Sequence, residues 1–277
     1  MAARPLAFPG SHRWIIAELF VRQGTLALYG VILLLLSLVA VMLQAYDPRL
    51  LESGVNVWVK PAKFLSSIGI FAVTAAWFFG YIRPERRRSP LMRSTVALLI
   101  LAGTFELVWI SWQAANGLDS HFNNDTPLYA TMYALMGVFA VLLVGTTLPL
   151  AWELGRRPAA NLSRDFVSAV VIGLVLTFLL GGMLGGYMSS QAGHAVGAEG
   201  SRTFLFGWNR SGGDLRIAHF LGIHAEQAIP ILAALAAEVG LGKGARWAAL
   251  IAGAAVYSAL TLAIFAQAVA GRPLFPM

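Results

Sequence analysis

One apolar segment, Leu215–Val239, contains an unusual number of side chains that could do chemistry. It holds Arg216, His219, His224 and Glu226 in a run made mostly of Leu, Ile and Ala. Ionisable groups at this density are costly inside a bilayer, so they need partners, water or a ligand. The segment is therefore the first place to look for a function, and it indicates a location and a chemistry more clearly than a reaction.

Imidazole and carboxylate groups favour metal or haem ligation as the first hypothesis. Histidine binds zinc, copper, iron and haem iron, and carboxylates complete sites with mixed nitrogen and oxygen ligands. His121, His219 and His224 are the candidate metal ligands, and His219 and His224 are also candidates for holding a cofactor. Because residues five apart point about 140° apart on a helix, His219 and His224 are expected to serve different ligands or different shells of one site.

Two acids complete the predicted site. Glu106 lies ten residues before the outer end of one predicted span, and His224 lies nine residues after the outer start of another. At about 1.5 Å per residue, both are roughly 14–15 Å deep, and a pair between them would lower the cost of burying either group. Glu106 and Glu226 are therefore the candidate catalytic residues, acting as ligand, proton acceptor or counter-ion.

Four further side chains are predicted to surround the mouth of an outward-facing polar cavity. Lys63 and Arg216 would attract an anionic group there, and the amides of Gln113 and Gln227 would line the same space. The loop Ser189–Gly213 is rich in Gly and Ser, so it could fold over the opening as a lid or be flexible. These residues predict a membrane-embedded metal- or haem-binding protein of a redox or lipid-modifying kind.

The main alternative is a proton-coupled transporter of a small solute that uses Glu106 and His224. Pro230 would then break the sixth span, as carriers often break their helices. A membrane-embedded hydrolase is a third reading. Seven-helix enzymes of the alkaline-ceramidase type carry a His-x3-His pair, however, whereas this chain has His-x4-His. An assembly partner without chemistry of its own is a fourth, and the pattern leaves open whether the protein is an enzyme.

The composition indicates what class of protein must position these groups. Of the 277 residues, 58% are hydrophobic and 12% are charged, against about 25% charged in soluble proteins. The chain contains no cysteine, which excludes disulfides, thiolate metal sites and cysteine nucleophiles. The pI is near 10.1, but the arginines stand in short clusters between apolar runs. The expected partners are therefore the lipid bilayer and a small-molecule or lipid ligand, and not nucleic acid.

An all-α fold with seven transmembrane helices in one bundle accounts for this pattern. A helix needs about 20 apolar residues to cross the hydrocarbon core of a bilayer. Seven segments meet this requirement: Thr25–Tyr46, Phe64–Ile82, Ser94–Asn116, Thr126–Trp152, Asp165–Met188, Leu215–Val239 and Ala245–Gly271. Residues 1–24 are predicted to form a cytoplasmic amphipathic segment, residues 25–271 the seven-helix domain, and residues 272–277 a short extracytoplasmic tail.

The distribution of Lys and Arg predicts the orientation of the spans. Most of the 20 basic residues fall in the N-terminal segment and in the second, fourth and sixth loops. Cytoplasmic loops carry an excess of basic residues. The N-terminus is therefore expected in the cytoplasm and the C-terminus outside it.

Local sequence signals support several of these boundaries. Thr126 is a predicted N-cap followed by a proline at the first helical position. Asp214 is placed to cap the sixth span and to face its dipole. The glycines between Gly181 and Gly186 follow a small-xxx-small pattern, which favours close helix packing.

Three stretches of sequence carry a family resemblance. They are Trp58–Phe64, Ser120–Asn123, and Gly213–Phe220 continuing to Gly222, His224, Gln227 and Pro230. Together they resemble a family of bacterial multi-helix membrane proteins that are generally described as uncharacterised. The resemblance covers most of the chain and implies a multi-pass protein of the bacterial cytoplasmic membrane. It implies no activity and no site residues.

Overall fold

The computed structural model describes residues 12–160, 162–204 and 206–276. The chain is mostly helical, with 72% of the described residues in helices, which confirms the predicted helical class. In chain order the helices are α1 (His12–Tyr46), α2 (Val59–Phe79), α3 (Pro90–Ala115), α4 (Pro127–Gly145), α5 (Thr147–Arg156), α6 (Arg164–Leu176), α7 (Gly182–Ser189), α8 (Leu215–Ile223), α9 (Ala225–Glu238) and α10 (Lys243–Val269). A 3-10 turn, Pro84–Arg86, precedes α3, and a π-helical segment, Thr177–Gly181, joins α6 to α7.

Among the described residues, six helical stretches are long and apolar enough to cross a membrane, and the bent pair α8–α9 makes a seventh if it counts as one span. The six are Ile15–Tyr46, Val59–Phe79, Pro90–Ala115, Pro127–Arg156, Arg164–Ser189 and Lys243–Val269. Large apolar side chains such as Leu38, Val138 and Val256 are more than half exposed on these helices. Exposed apolar surface of this extent fits contact with a lipid bilayer, which supports the prediction of a multi-pass membrane protein.

Helix α2 begins earlier and ends earlier than the sequence predicts. It starts at Val59, five residues before the predicted start at Phe64. Proline is tolerated in a first helical turn, so Pro61 does not prevent this early start. The Asn56 side chain also accepts the Trp58 N–H at 2.9 Å, just before the helix begins. It ends at Phe79 because the chain beyond it pairs elsewhere, with the Ala159 N–H donating to the Tyr81 carbonyl at 2.7 Å. The extra N-terminal turn adds Lys60 to the helix.

Two predicted helix caps are confirmed. The Thr126 hydroxyl accepts the Tyr129 N–H at 3.2 Å, with Pro127 as the first residue of α4. The Asp214 carboxylate accepts the Arg216 N–H at 3.0 Å at the start of α8. Both side chains bind backbone N–H groups that have no partner inside their helices.

The chain divides into two compact units, which are described separately. The N-terminal unit comprises the described residues up to 150 together with 157–160, and the C-terminal unit comprises 151–156 and the described residues from 162 onwards. The predicted single bundle therefore stays a prediction, as does the orientation of the termini. Of the predicted N-terminal surface segment, residues 1–11 lie outside the described part of the chain.

In the N-terminal unit, α1 is interrupted one residue before the predicted end of its surface segment. Gln23 has a non-helical backbone (φ −157°, ψ 89°). Its side-chain oxygen accepts the N–H groups of Thr25 and Leu26 at 2.8 and 3.1 Å, so it caps the apolar part of α1. That part lies close along α2, since a Cβ on Gly30 would come within 2.9 Å of the Gly69 carbonyl.

In the C-terminal unit, the predicted glycine contacts are confirmed on one face of the span Arg164–Ser189. A Cβ on Gly181 would lie 2.8 Å from the Ile223 side chain, and one on Gly185 would lie 2.7 Å from the His219 ring. By contrast, Gly182 and Gly186 have no atoms within 4 Å of a Cβ among the described residues. The close-packed face therefore uses alternate members of the glycine pattern.

The loop Ser189–Gly213 is ordered by pairing over its described residues. A short antiparallel pair joins β1 (Ala195–Val196) to β2 (Gly213–Asp214). The C-terminal tail also packs on this loop, because Arg210 donates to the Pro276 carbonyl at 3.1 Å. The loop thus pairs with itself between residues 195 and 214 and contacts the tail.

Candidate functional site

The C-terminal unit contains a helix break at His224. There the backbone leaves helical geometry (φ −99°, ψ 7°), and α8 and α9 meet at an angle of 55°. The prediction that Pro230 breaks this span is wrong in position, because Pro230 lies inside α9. Proline disturbs the helical turn that precedes it. The second helix, α9, begins at Ala225, just over one turn before Pro230.

Neighbouring helices satisfy the backbone groups that the break releases. The Glu226 N–H donates to the Thr177 hydroxyl at 2.9 Å, and the Tyr257 hydroxyl donates to the Leu221 carbonyl at 2.5 Å. Thr177 is fully buried and opens the π-helical segment. Irregular backbone at membrane depth persists only where such partners exist. The break is therefore a supported feature of the fold.

Three predicted site residues meet at this break. The Gln227 amide nitrogen donates to the Glu226 carboxyl at 2.9 Å, and the Gln227 amide oxygen lies 3.2 Å from Nδ1 of His224. Glu226 is only 1% exposed. The His224 ring packs on Phe220, with ring centroids 4.4 Å apart. A buried carboxyl group is thus connected to an imidazole through one amide.

His219 points to a different neighbour from His224. Its Nδ1 lies 3.1 Å from the Gly181 carbonyl. A carbonyl oxygen only accepts, so Nδ1 must carry the proton in this bond. Its ring packs on Gly185. As the five-residue spacing predicts, the two imidazoles face different surroundings.

Arg216 is bound to an acid of its own unit. Its Nε donates to the Asp214 carboxylate at 2.9 Å, and its Nη2 donates to the Gly207 carbonyl at 2.7 Å. Burial opposes the charge of Asp214, but the hydrogen bond and the charge of Arg216 outweigh it and keep the pKa of Asp214 below its ordinary value. The guanidinium that was predicted to attract an anion at the cavity mouth therefore already has a carboxylate partner.

The N-terminal unit contains a second buried acid, Glu106. It is 2% exposed, and its Oε1 has no hydrogen-bond partner among the described residues. The ammonium group of Lys60 acts on it electrostatically. Lys63, the lysine that the sequence favoured, is exposed. Lys60, on the turn of α2 that the sequence assigned to a loop, is thus a cation whose charge acts on this buried acid.

His121 lies among aromatic rings in the loop that follows this acid-bearing helix. Its ring centroid lies 5.6 Å from that of Phe64 and 5.8 Å from that of Tyr133, and its Nδ1 lies 3.1 Å from the Ser120 hydroxyl. Burial, followed by the charge of Lys60, holds the pKa of His121 well below its ordinary value. His121 is therefore neutral at pH 7.

The same loop is held down by side chains of α3. Gln113 is 1% exposed and donates to the Asp119 carbonyl at 3.3 Å, while the Trp109 indole donates to the Ser120 carbonyl at 3.3 Å. Phe122 has a positive φ of 58° at the tip of the turn. Gln113 is thus an anchor for the loop that carries His121.

The predicted site residues are distributed over both units. The N-terminal unit holds Lys63, Glu106, Gln113 and His121, and the C-terminal unit holds Arg216, His219, His224, Glu226 and Gln227. The predicted Glu106–His224 pair joins residues of different units and stays a prediction. Among residues 12–160, 162–204 and 206–276, no group of three or more His, Asp or Glu side chains is arranged to hold a metal ion.

Sequence reasoning missed three residues that matter here. The sequence places Lys60 in a loop because the predicted span begins at Phe64. Thr177 and Tyr257 were read as ordinary residues of their spans, and no local signal marks them. Their importance depends on the position of the break in a helix distant in sequence.

The chain was also compared with known proteins. No family model, no curated protein and no solved structure matches it. The resemblance to a bacterial membrane family therefore stays a prediction, and the functional argument rests on the geometry of the two units.

Proposed function

We propose that this protein is a membrane carrier that moves a small solute coupled to protons, with its binding site at the break between α8 and α9. The observation that supports this most is the broken helix itself. Its ends carry His224, Glu226 and Gln227, and its released backbone groups have partners on neighbouring helices. Discontinuous membrane helices place such ends at substrate and ion sites in carriers.

Different side chains at the break are proposed to bind the proton and the solute. The Glu226 carboxyl group is the proposed proton-binding group, and the Gln227 amide fixes its position. His224 is less buried than Glu226, so it is the proposed contact for the solute. Glu106 in the N-terminal unit is a second proposed proton-binding group, since its Oε1 has no hydrogen-bond partner within the described chain.

Transport can be tested with purified protein in liposomes that contain a pH-sensitive dye. We expect one of a panel of amino acids, sugars, organic acids and amines to drive a change of internal pH when it is added outside. Glu226→Gln should abolish this change, because an amide cannot bind and release the proton. His224→Ala should slow it about tenfold, the effect of losing about 1.4 kcal/mol of binding.

Glu238→Gln is the matched control, since Glu238 is an exposed acid at the other end of α9. It should transport like the wild type. A pH change that persists in Glu226→Gln, or a panel in which no solute moves protons, would contradict the proposal.

Metal or haem binding is the second proposed function, and one contact supports it. A backbone carbonyl fixes Nδ1 of His219, as carbonyls commonly do for metal-bound histidines. Elemental analysis and an absorption spectrum of the same purified protein distinguish the two proposals. A stoichiometric metal or a Soret band that is lost in His219→Ala would favour metal or haem binding over transport.

A further inference from the structure

Arg22, at the end of the first part of α1, has an unusually fixed side chain. Its guanidinium carbon lies 4.0 Å from the Trp77 ring centroid and 5.0 Å from the Tyr81 ring centroid. Its Nη1 donates to the Trp77 carbonyl at 3.0 Å, and its Nε donates to Glu18 at 2.8 Å. Cation–π stacking and backbone bonding hold the guanidinium at the end of α2.

Arg87 is fixed by backbone carbonyls of the same turn. Its Nε donates to the Ile82 carbonyl at 3.0 Å and its Nη2 donates to the Gly80 carbonyl at 2.8 Å. Burial lowers the pKa of Arg87, and the positive charge of Arg22 lowers it further. The two guanidinium groups are therefore close enough to repel each other.

Glycine at position 80 makes this arrangement possible. A Cβ on Gly80 would lie 2.5 Å from Cδ and 2.6 Å from Nη1 of Arg22. The Arg22 side chain therefore lies directly against the backbone whose carbonyl Arg87 binds. The two arginines share one turn of the chain and approach it from different elements.

The charges in this cluster do not balance. Glu18 opposes Arg22 and Arg87, and its side chain is 49% exposed. Each guanidinium has five N–H donors, and the described residues accept two hydrogen bonds from each. Each of the two fixed guanidinium groups therefore has N–H donors that the described residues do not use. Such donors can bind the oxygens of a phosphate, to which arginine often donates two hydrogen bonds.

The position of the cluster favours a phosphate that belongs to a lipid. The cluster lies beside the interruption of α1 at Gln23 and the end of α2 at Phe79. Trp77 is half-buried there and Tyr81 is buried, and tryptophan and tyrosine at the ends of membrane helices are typical of a membrane interface. We propose that Arg22 and Arg87 bind the phosphate headgroup of an anionic phospholipid. This site lies within the N-terminal unit and does not depend on the proposed transport.

Lipid binding can be measured on the full-length protein in detergent by native mass spectrometry. Dioleoyl-phosphatidic acid is the anionic probe and dioleoyl-phosphatidylcholine is the zwitterionic reference. The wild type should retain phosphatidic acid at least tenfold more tightly than phosphatidylcholine. Arg22→Gln and Arg87→Gln should each reduce this preference to about twofold or less. An equal affinity of the wild type for both lipids would overturn the proposal without any variant.

Arg93→Gln is the matched control, because Arg93 is an exposed arginine in the first turn of α3, six residues after Arg87. It should keep the wild-type preference within twofold, whereas an equal loss in all three variants would show general attraction to a basic surface and overturn the site. Competition with inorganic phosphate shows whether the bound phosphate belongs to a lipid or is free in solution. Displacement of phosphatidic acid by inorganic phosphate at equal concentration would contradict a lipid ligand and assign the site to free phosphate.

Discussion

His121 illustrates how burial at a single residue makes stability depend on pH. The pKa of its imidazole in the folded chain lies well below 6.5 because burial opposes the charged form, and Lys60 adds to the effect. In the unfolded chain the same group binds a proton at about pH 6.5. Between these two pKa values the unfolded state binds more protons, so acid favours unfolding.

We expect His121 to lower the melting temperature of the protein in detergent as the pH falls from 7.5 to 5.0. Below pH 6.5, the contribution of His121 to the free energy of unfolding should drop by about 1.4 kcal/mol per pH unit until its folded-state pKa is reached. His121→Gln removes the titrating group and should reduce the fall. His194→Gln, in a loop of the C-terminal unit, is the control. Identical pH profiles for wild type and His121→Gln would contradict this account.

At the scale of elements, the break between α8 and α9 depends on how closely α8 approaches the π-helical segment. A Cβ on Gly222 would lie 2.9 Å from both the Gly181 nitrogen and the Leu180 carbonyl carbon. Both are backbone atoms, which cannot move aside as a flexible side chain can. The close approach in turn keeps Thr177 in position to accept the Glu226 N–H.

Gly222→Ala should therefore destabilise the C-terminal unit. Overpacking against backbone costs about 1–3 kcal/mol, which exceeds the gain of about 1 kcal/mol from replacing glycine in a helix. Thermal unfolding in detergent checks the sign. Gly182→Ala is the control, since no described atom lies within 4 Å of a Cβ there, and it should be neutral or stabilising. Equal melting temperatures for the two variants would show that the close contact is not needed.

At the scale of the whole molecule, the charge distribution predicts which ends of the helices face the cytoplasm. The chain contains no cysteine, so single cysteines can be introduced into the native sequence and labelled without background. Arg88 follows α2 and Ser53 precedes it, and both are exposed. The two positions therefore lie on loops at opposite ends of one predicted span.

In bacterial cells, a membrane-impermeant maleimide should label Ser53→Cys from outside and label Arg88→Cys only after the membrane is permeabilised. The reason is that positively charged loops are retained in the cytoplasm. Permeabilised cells provide the control for reactivity at both positions. Labelling of Arg88→Cys in intact cells, with Ser53→Cys protected, would reverse the predicted orientation.

The amino-acid sequence alone determined the class of this protein and much of its local structure. Runs of apolar residues predicted the helical spans because crossing a bilayer requires both length and hydrophobicity. Thr126 and Asp214 predicted helix starts because capping is a local interaction. His224, Glu226 and Gln227 were identified because polar groups inside an apolar segment are detectable without any knowledge of their neighbours.

Only the tertiary structure decided where the helix breaks and which charges meet. The break falls at His224 and not at Pro230, because Thr177 and Tyr257, from other helices, bind the released backbone groups. Arg22 and Arg87 are 65 positions apart in sequence and meet at one turn because α1 lies along α2. Contacts of this kind depend on how helices distant in sequence pack together, and no local pattern of residues records that packing.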